Sequence, residues 1–157
     1  MGKSNKKYLF KGLKKSAPLQ DASKIMLDEK LKNVFILIDK FLDNDSEENL
    51  HQLRIALRRF RYMLESYYLC VDDLLFTTVL KKTKSILDDL GEGRDQDVLS
   101  AKLLSSFSGK NARYLKDIFD ILNFKHEETR QRIKLELIKF ICDKNVNKFF
   151  KKNKLEQ

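Results

Sequence analysis

Leu50-His-Gln-Leu-Arg-Ile-Ala-Leu-Arg-Arg-Phe-Arg-Tyr-Met-Leu-Glu-Ser-Tyr-Tyr68 is the segment around which the chain is organised. It contains four of the eight arginines and one of the two histidines, and neither proline nor glycine interrupts it. Most of its residues are good helix formers. Leu50, Leu53, Leu57, Phe60, Leu64 and Tyr67 recur at helical spacing and predict one continuous apolar stripe. His51, Arg54, Arg58, Arg61 and Glu65 form a second stripe, about one-third of a turn round from the first. Such a helix buries the first stripe and holds the second at the edge of the core. There the arginine stems can pack while their heads face a groove.

The second stripe has two readings. A solvated basic face is the default for a charge run on a helix. Stacked like charges at helical spacing nevertheless repel, and arginine is the side chain best suited to bidentate grip on phosphate or carboxylate. His51 adds a donor that strengthens on protonation. The residues alone leave a solvated face and an anion-binding face both open.

The segment His51-Gln-Leu-Arg54-Ile-Ala-Leu-Arg58-Arg59-Phe-Arg61 resembles the signature helix of the CHAD family, the conserved-histidine alpha-helical domains. A second segment, Leu90-Gly91-Glu-Gly-Arg94-Asp95-Gln-Asp97-Val98-Leu99, resembles the family's next motif and follows in the expected order. The resemblance extends from about residue 20 to the end of the chain. It implies a helical bundle that binds inorganic polyphosphate through basic side chains, with no catalytic chemistry and no cofactor. On that resemblance the ligand-binding set is His51, Arg54, Arg58, Arg59, Arg61, Lys84, Arg94, Arg130 and Lys134. Of these, His51, Arg54, Arg58, Arg61, Lys84, Arg130 and Lys134 are expected on one concave basic surface. Arg59 points away from the main stripe toward a rim phosphate or an acidic partner, and Arg94 is open between ligand contact and a structural salt bridge. Gly91 is expected within a helix, packed close against a neighbour, and Gly93 departs from the pattern and suggests local fraying. Family members usually pair two related bundles about a pseudo-twofold axis, whereas one copy of each motif is found here. The expected architecture is therefore all-α, an antiparallel helical bundle equivalent to one half of a CHAD domain, completed by a homodimer.

Composition agrees with one helical domain. A single proline and five glycines in 157 residues favour long helices over sheet. The net charge of +9 predicts attraction to polyanions without choosing among them. Cys70 and Cys142 show no metal or disulfide spacing, so reduced, buried thiols in a cytosolic protein are expected. The longest apolar run, Val34–Ile38, is far too short to cross a bilayer. These features, with no apolar signal region, give a cytoplasmic reading without membrane contact, in association with polyphosphate granules where the family function applies.

Residues 1–19 read as a basic flexible arm and 20–157 as the bundle. A first helix is expected over about 22–42, capped by Asp21 or Ser23. The signature helix follows from the Ser46 cap to about Cys70. A third helix starts at Asp72-Asp73 and carries the second motif. Arg94 is expected to ion-pair with Asp95 and Asp97, since charges on an inward stripe are costly unless paired. A loop is predicted over 105–113, then helices over about 114–124 and 127–142, the latter stacking Arg130 and Lys134 one turn beyond His126. The alternative to the homodimer is that the Phe149-Phe150 tail folds back to cover the apolar seam. Asp95 and Asp97 are the only pair to suggest phosphate-ester enzymology, and their place beside Arg94 favours structure. Nucleic acid is the alternative ligand, although no aromatic residues interleave the basic stripe for base stacking. A protein-interaction module with an acidic partner is a third reading.

Overall fold

A computed structural model describes residues 10, 13–14, 16–70, 73–106 and 112–153 of the chain. Among them are five α-helices, one 3₁₀ turn and no strand. The helices are α1 (Leu19–Asp43), α2 (Glu47–Ser66), α3 (Asp73–Ser106), α4 (Ala112–Cys142) and α5 (Lys144–Asn153). Most of the expected arm, the centre of the 105–113 loop and the last four residues lie outside the described residues.

Helices α1 to α4 run antiparallel in sequence. The Tyr67 hydroxyl at the end of α2 reaches the Met26 sulfur near the start of α1, Glu47 meets Arg94 while Glu65 meets Lys84, and Arg132 meets Asp89 and Glu92. The turn from α1 to α2 is only Asn44-Asp45-Ser46. The Ser46 hydroxyl accepts from the Asn49 amide N–H at 3.3 Å, and the Asn49 side chain donates to the Asn44 carbonyl at 2.7 Å. Ser46 is thus the predicted cap, and Glu47 and Glu48 sit in the first turn, where they complement the helix dipole.

The apolar stripe of α2 is the centre of the core. Leu50, Leu53, Leu57, Phe60 and Leu64 are fully buried against Leu27, Leu31, Val34, Ile38 and Phe41 of α1 and Val79, Ile86 and Leu90 of α3. Each such side chain stabilises the fold by about 1.5–3 kcal/mol relative to an exposed one.

Several local expectations are corrected. Helix α1 begins behind Pro18 without a side-chain cap, and Ser23 is buried inside it, donating to the Gln20 carbonyl at 2.8 Å. Proline suits this position because its missing N–H would have had no helical partner. Helix α2 ends at Ser66, four residues short of Cys70, and passes into the 3₁₀ turn Tyr68–Cys70. Two helices were expected across 114–142, but α4 is continuous, for nothing between Phe124 and Glu127 breaks a helix. Neither cysteine is buried: Cys70 is half-exposed and Cys142, the last residue of α4, is exposed.

The tail does fold back. Asp143 accepts from the backbone N–H groups of Asn145 and Val146 and so caps α5. Val146 and Phe149 enter the core, and Phe150 meets Phe35 edge-on at 5.6 Å.

The glycines exchange their expected roles. Helix α3 passes unbroken through both, so Gly93 causes no fraying. Gly93 is the one packed close: a Cβ there would lie 2.9 Å from Ile133 Cδ1 and 3.6 Å from Leu50 Cδ2. A Cβ on Gly91 would meet nothing within 4 Å. Gly93 faces the α2–α4 junction, and two residues on in a helix is the opposite side.

Candidate anion-binding site

The outer stripe of α2 follows its predicted course. His51, Arg54 and Arg61 are half-buried, Arg58 and Arg59 exposed. Among the described residues His51, Arg54, Arg58 and Arg59 make no ion pair and no side-chain hydrogen bond. Every other arginine whose side chain is described pairs with an acid: Arg61 with Glu65, Arg94 with Glu47 and Asp97, Arg130 with Asp97, Arg132 with Asp89 and Glu92. Cations left unpaired in a chain with many acids are available to a ligand.

The lower end of the row is built on Glu65. Lys84 reaches it from α3 at 3.2 Å, and the Arg61 Nε lies 3.9 Å away, so Arg61 and Lys84 share one carboxylate. The Arg61 guanidinium lies 4.6 Å from the centre of the Tyr62 ring, and its Nε is shut off from solvent without a hydrogen-bond partner.

Arg54 opens onto a groove of ≈ 500 Å³ between α2 and α3, lined also by Leu87, Asp88, Gly91, Glu92, Asp95, Gln96 and Leu99. Gly91 leaves this groove bare, which gives its missing side chain a purpose different from close packing. The far wall is acidic. Asp88, Glu92 and Asp95 recur at helical spacing on α3, and among the described residues only Glu92 of the three has a cationic partner, Arg132. A groove basic on both walls was expected. The same spacing rule applied to α3 as to α2 would have shown the acidic stripe.

Three of the nine expected residues belong elsewhere. Asp97, its side chain only 4% exposed, accepts from Arg130 Nη2 at 2.7 Å and lies 2.8 Å from His126 Nε2. The Arg130 side chain is 3% exposed and its guanidinium lies 5.7 Å from the centre of the Phe41 ring. Arg130 is therefore core, not groove surface, because a buried guanidinium demands a buried carboxylate and Asp97 supplies one across the α3–α4 contact. Lys134 is bound to Asp45 at 2.7 Å, and the hydrogen bond and charge of Lys134 hold the Asp45 carboxyl below its usual range against a desolvation cost. Arg94 donates to Glu47 and lies 4.0 Å from Asp97 Oδ2. The expected pairing of Arg94 with Asp97 is present at that distance, whereas Asp95 is exposed and has no ion pair among the described residues. Arg130 is thus withdrawn from any surface shared with the α2 row, and Lys134 is engaged by Asp45. Glu47, one turn before His51, is the residue that sequence reasoning missed.

Among the described residues no group of three His, Cys, Asp or Glu side chains could hold a metal ion, and no helix is long and apolar enough to cross a membrane. The fold and the site define a helical bundle that displays a row of unpaired arginines. The sequence model of the CHAD domain matches residues 5–104, and the chain belongs to the CHAD family. The match covers both motifs and ends within α3, before Arg130 and Lys134. No curated protein and no solved structure matches the chain.

Proposed function

We propose that this chain binds inorganic polyphosphate along the outer face of α2 and does no chemistry on it. The carrying observation is that among the described residues Arg54, Arg58 and Arg59, with His51, have no acidic partner, while every other arginine whose side chain is described has one. Family membership supports the choice of ligand. Arg54, Arg58 and Arg61 advance along the helix by about 6 and about 4.5 Å at 1.5 Å per residue. A flexible chain of phosphates can follow such a row without being read for sequence. Lys84 extends the row towards α3, in exchange for its contact with Glu65. The carboxylates of Asp88 and Asp95 repel phosphate, so the ligand runs on the α2 side of the groove and over its rim, where Arg58 and Arg59 are exposed. Binding of this kind would draw the protein to intracellular polyphosphate deposits.

The test is a competition titration of long-chain polyphosphate, inorganic phosphate, duplex DNA and RNA over a range of salt. Polyphosphate is expected to bind tightest at matched ionic strength, with log affinity falling linearly in log salt. Arg54→Ala should lower that slope by about one unit if the side chain meets one phosphate. Arg130→Met should leave the slope unchanged in protein that remains folded, because Arg130 does not reach the surface. Equal affinity for DNA and polyphosphate would favour the nucleic-acid reading. A slope indifferent to loss of Arg54, Arg58 and Arg61 alike would remove this site.

A further inference from the structure

Helix α4 is apolar on two opposite sides. Its inner side presents Ile133, Leu137 and Phe140 to the core, with Thr129 and Arg130. Its outer side carries a heptad seam at 121, 124, 128, 131, 135, 138 and 142, opposite the inner stripe by the 3.6-residue period. The seam reads Ile121, Phe124, Glu128, Gln131, Leu135, Ile138, Cys142. Its four large apolar members are 59%, 72%, 52% and 47% exposed, and Cys142 is exposed as well. The exposed apolar residues of α1, α2 and α3 form no comparable seam. A helix with two apolar faces is built to be covered on both.

We infer that the cover is α4 of a second copy, packed antiparallel about a twofold axis at Gln131. The seam is complementary to its own reverse. Ile121 then meets the partner's Cys142, Phe124 meets the partner's Ile138, and Gln131 meets the partner's Gln131. Glu128 falls beside the partner's Leu135. On one flank Glu127 faces the partner's Lys134, which Asp45 already holds at 2.7 Å, so this flank sets opposite charges side by side without a free cation. On the other flank Arg132 is already held by Asp89 and Glu92, and Lys139 by Glu136 at 2.7 Å, so Lys125 alone brings an uncompensated charge. A parallel pair would set Glu128 against Glu128 in the middle of the seam, two carboxylates being desolvated together. The polar centre therefore selects orientation and register at some cost in stability, as a buried polar position in a coiled coil does. The seam lies beyond the residues of the family match and away from the α2 row, and the inference does not depend on the ligand.

Cross-linking of the full chain tests both partner and register. In a Cys70→Ser, Cys142→Ser background, Gln131→Cys is expected to give a disulfide-linked dimer under mild oxidation, since position 131 meets itself on the axis. Glu128→Cys, also exposed and in the same seam, should not, because two copies of position 128 lie roughly 10 Å apart along the helices. Light scattering should find a dimer for the parent, and Ile138→Lys should raise its dissociation constant roughly a hundredfold or more with unchanged helicity. Phe124→Ser is the second disrupting variant should Ile138→Lys lose helix. A monomeric parent at several hundred micromolar, equal cross-linking at 128 and 131, or a dimer indifferent to both seam substitutions would overturn the inference.

Discussion

Asp97 is expected to be worth far more to the fold than its neighbour Asp95, though both stand in the same motif. Among the described residues Asp97 is the only carboxylate ion-paired with Arg130, and both side chains are nearly inaccessible to water. Asp97→Ala would leave the Arg130 guanidinium buried with only a 3.4 Å contact to His126 and the Phe41 ring beside it. Breaking such a pair from one side costs about 3–5 kcal/mol, because the remaining charge keeps its desolvation penalty. For a domain of this size that corresponds to a fall in melting temperature of about 6–20 °C. Asp95→Ala should change stability by no more than about 0.5 kcal/mol, as an exposed acid without a partner. The pair itself is imperfect: Asp97 Oδ2 and Arg130 Nη1 are buried without hydrogen bonds. Replacing both, as Asp97→Leu with Arg130→Met, should therefore recover most of the loss. The assay is urea unfolding followed by helical circular dichroism for the parent and the three variants. A loss below about 1 kcal/mol for Asp97→Ala, or equal losses at 95 and 97, would refute the assignment of Asp97 as the buried counter-ion.

The glycines give a second test. Gly91→Ala should raise stability by about 0.5–1 kcal/mol, since a helical glycine is replaced and the new methyl meets nothing. Gly93→Ala should gain nothing or lose stability, because its Cβ presses on Ile133, which is 1% exposed; the two urea midpoints decide it. The third test is acid. The Asp45 carboxyl is lowered from 3.8 by Lys134. Burial pushes Asp143 up, but Lys82 and the backbone N–H groups of Val146 and Asn145 outweigh it and hold it below 3.8. A depressed folded pKa adds stability above the unfolded value that is lost as pH falls through the folded one. The urea midpoint should accordingly drop as pH falls below about 3.8, and less steeply in Asp143→Asn. Asp89, raised by burial, works in the opposite direction just above 3.8.

Everything with a local cause can be read directly from the chain. The 3.6-residue recurrence of Leu50, Leu53, Leu57, Phe60 and Leu64 fixes which side of α2 is buried, and all five are. Ser46 with two glutamates behind it fixes where α2 starts, because the cap bonds lie within one turn. The arginine row was legible for the same reason, since spacing along one helix is set by the helix. Where two distant stretches meet follows from the packed fold alone. Arg130 and Lys134 share a face by spacing, yet Asp97, thirty-three residues before Arg130, draws the first into the core, and Asp45 holds the second. Gly91 and Gly93 are equivalent as helix residues; the approach of Ile133 makes one a packing contact and leaves the other open to the groove. Arg54 stands opposite an acidic wall because α3 crosses α2 at that height. Periodicity states which face of a helix is polar or apolar, but a partner's identity depends on rotation and register between helices, and those are settled only when whole faces pack.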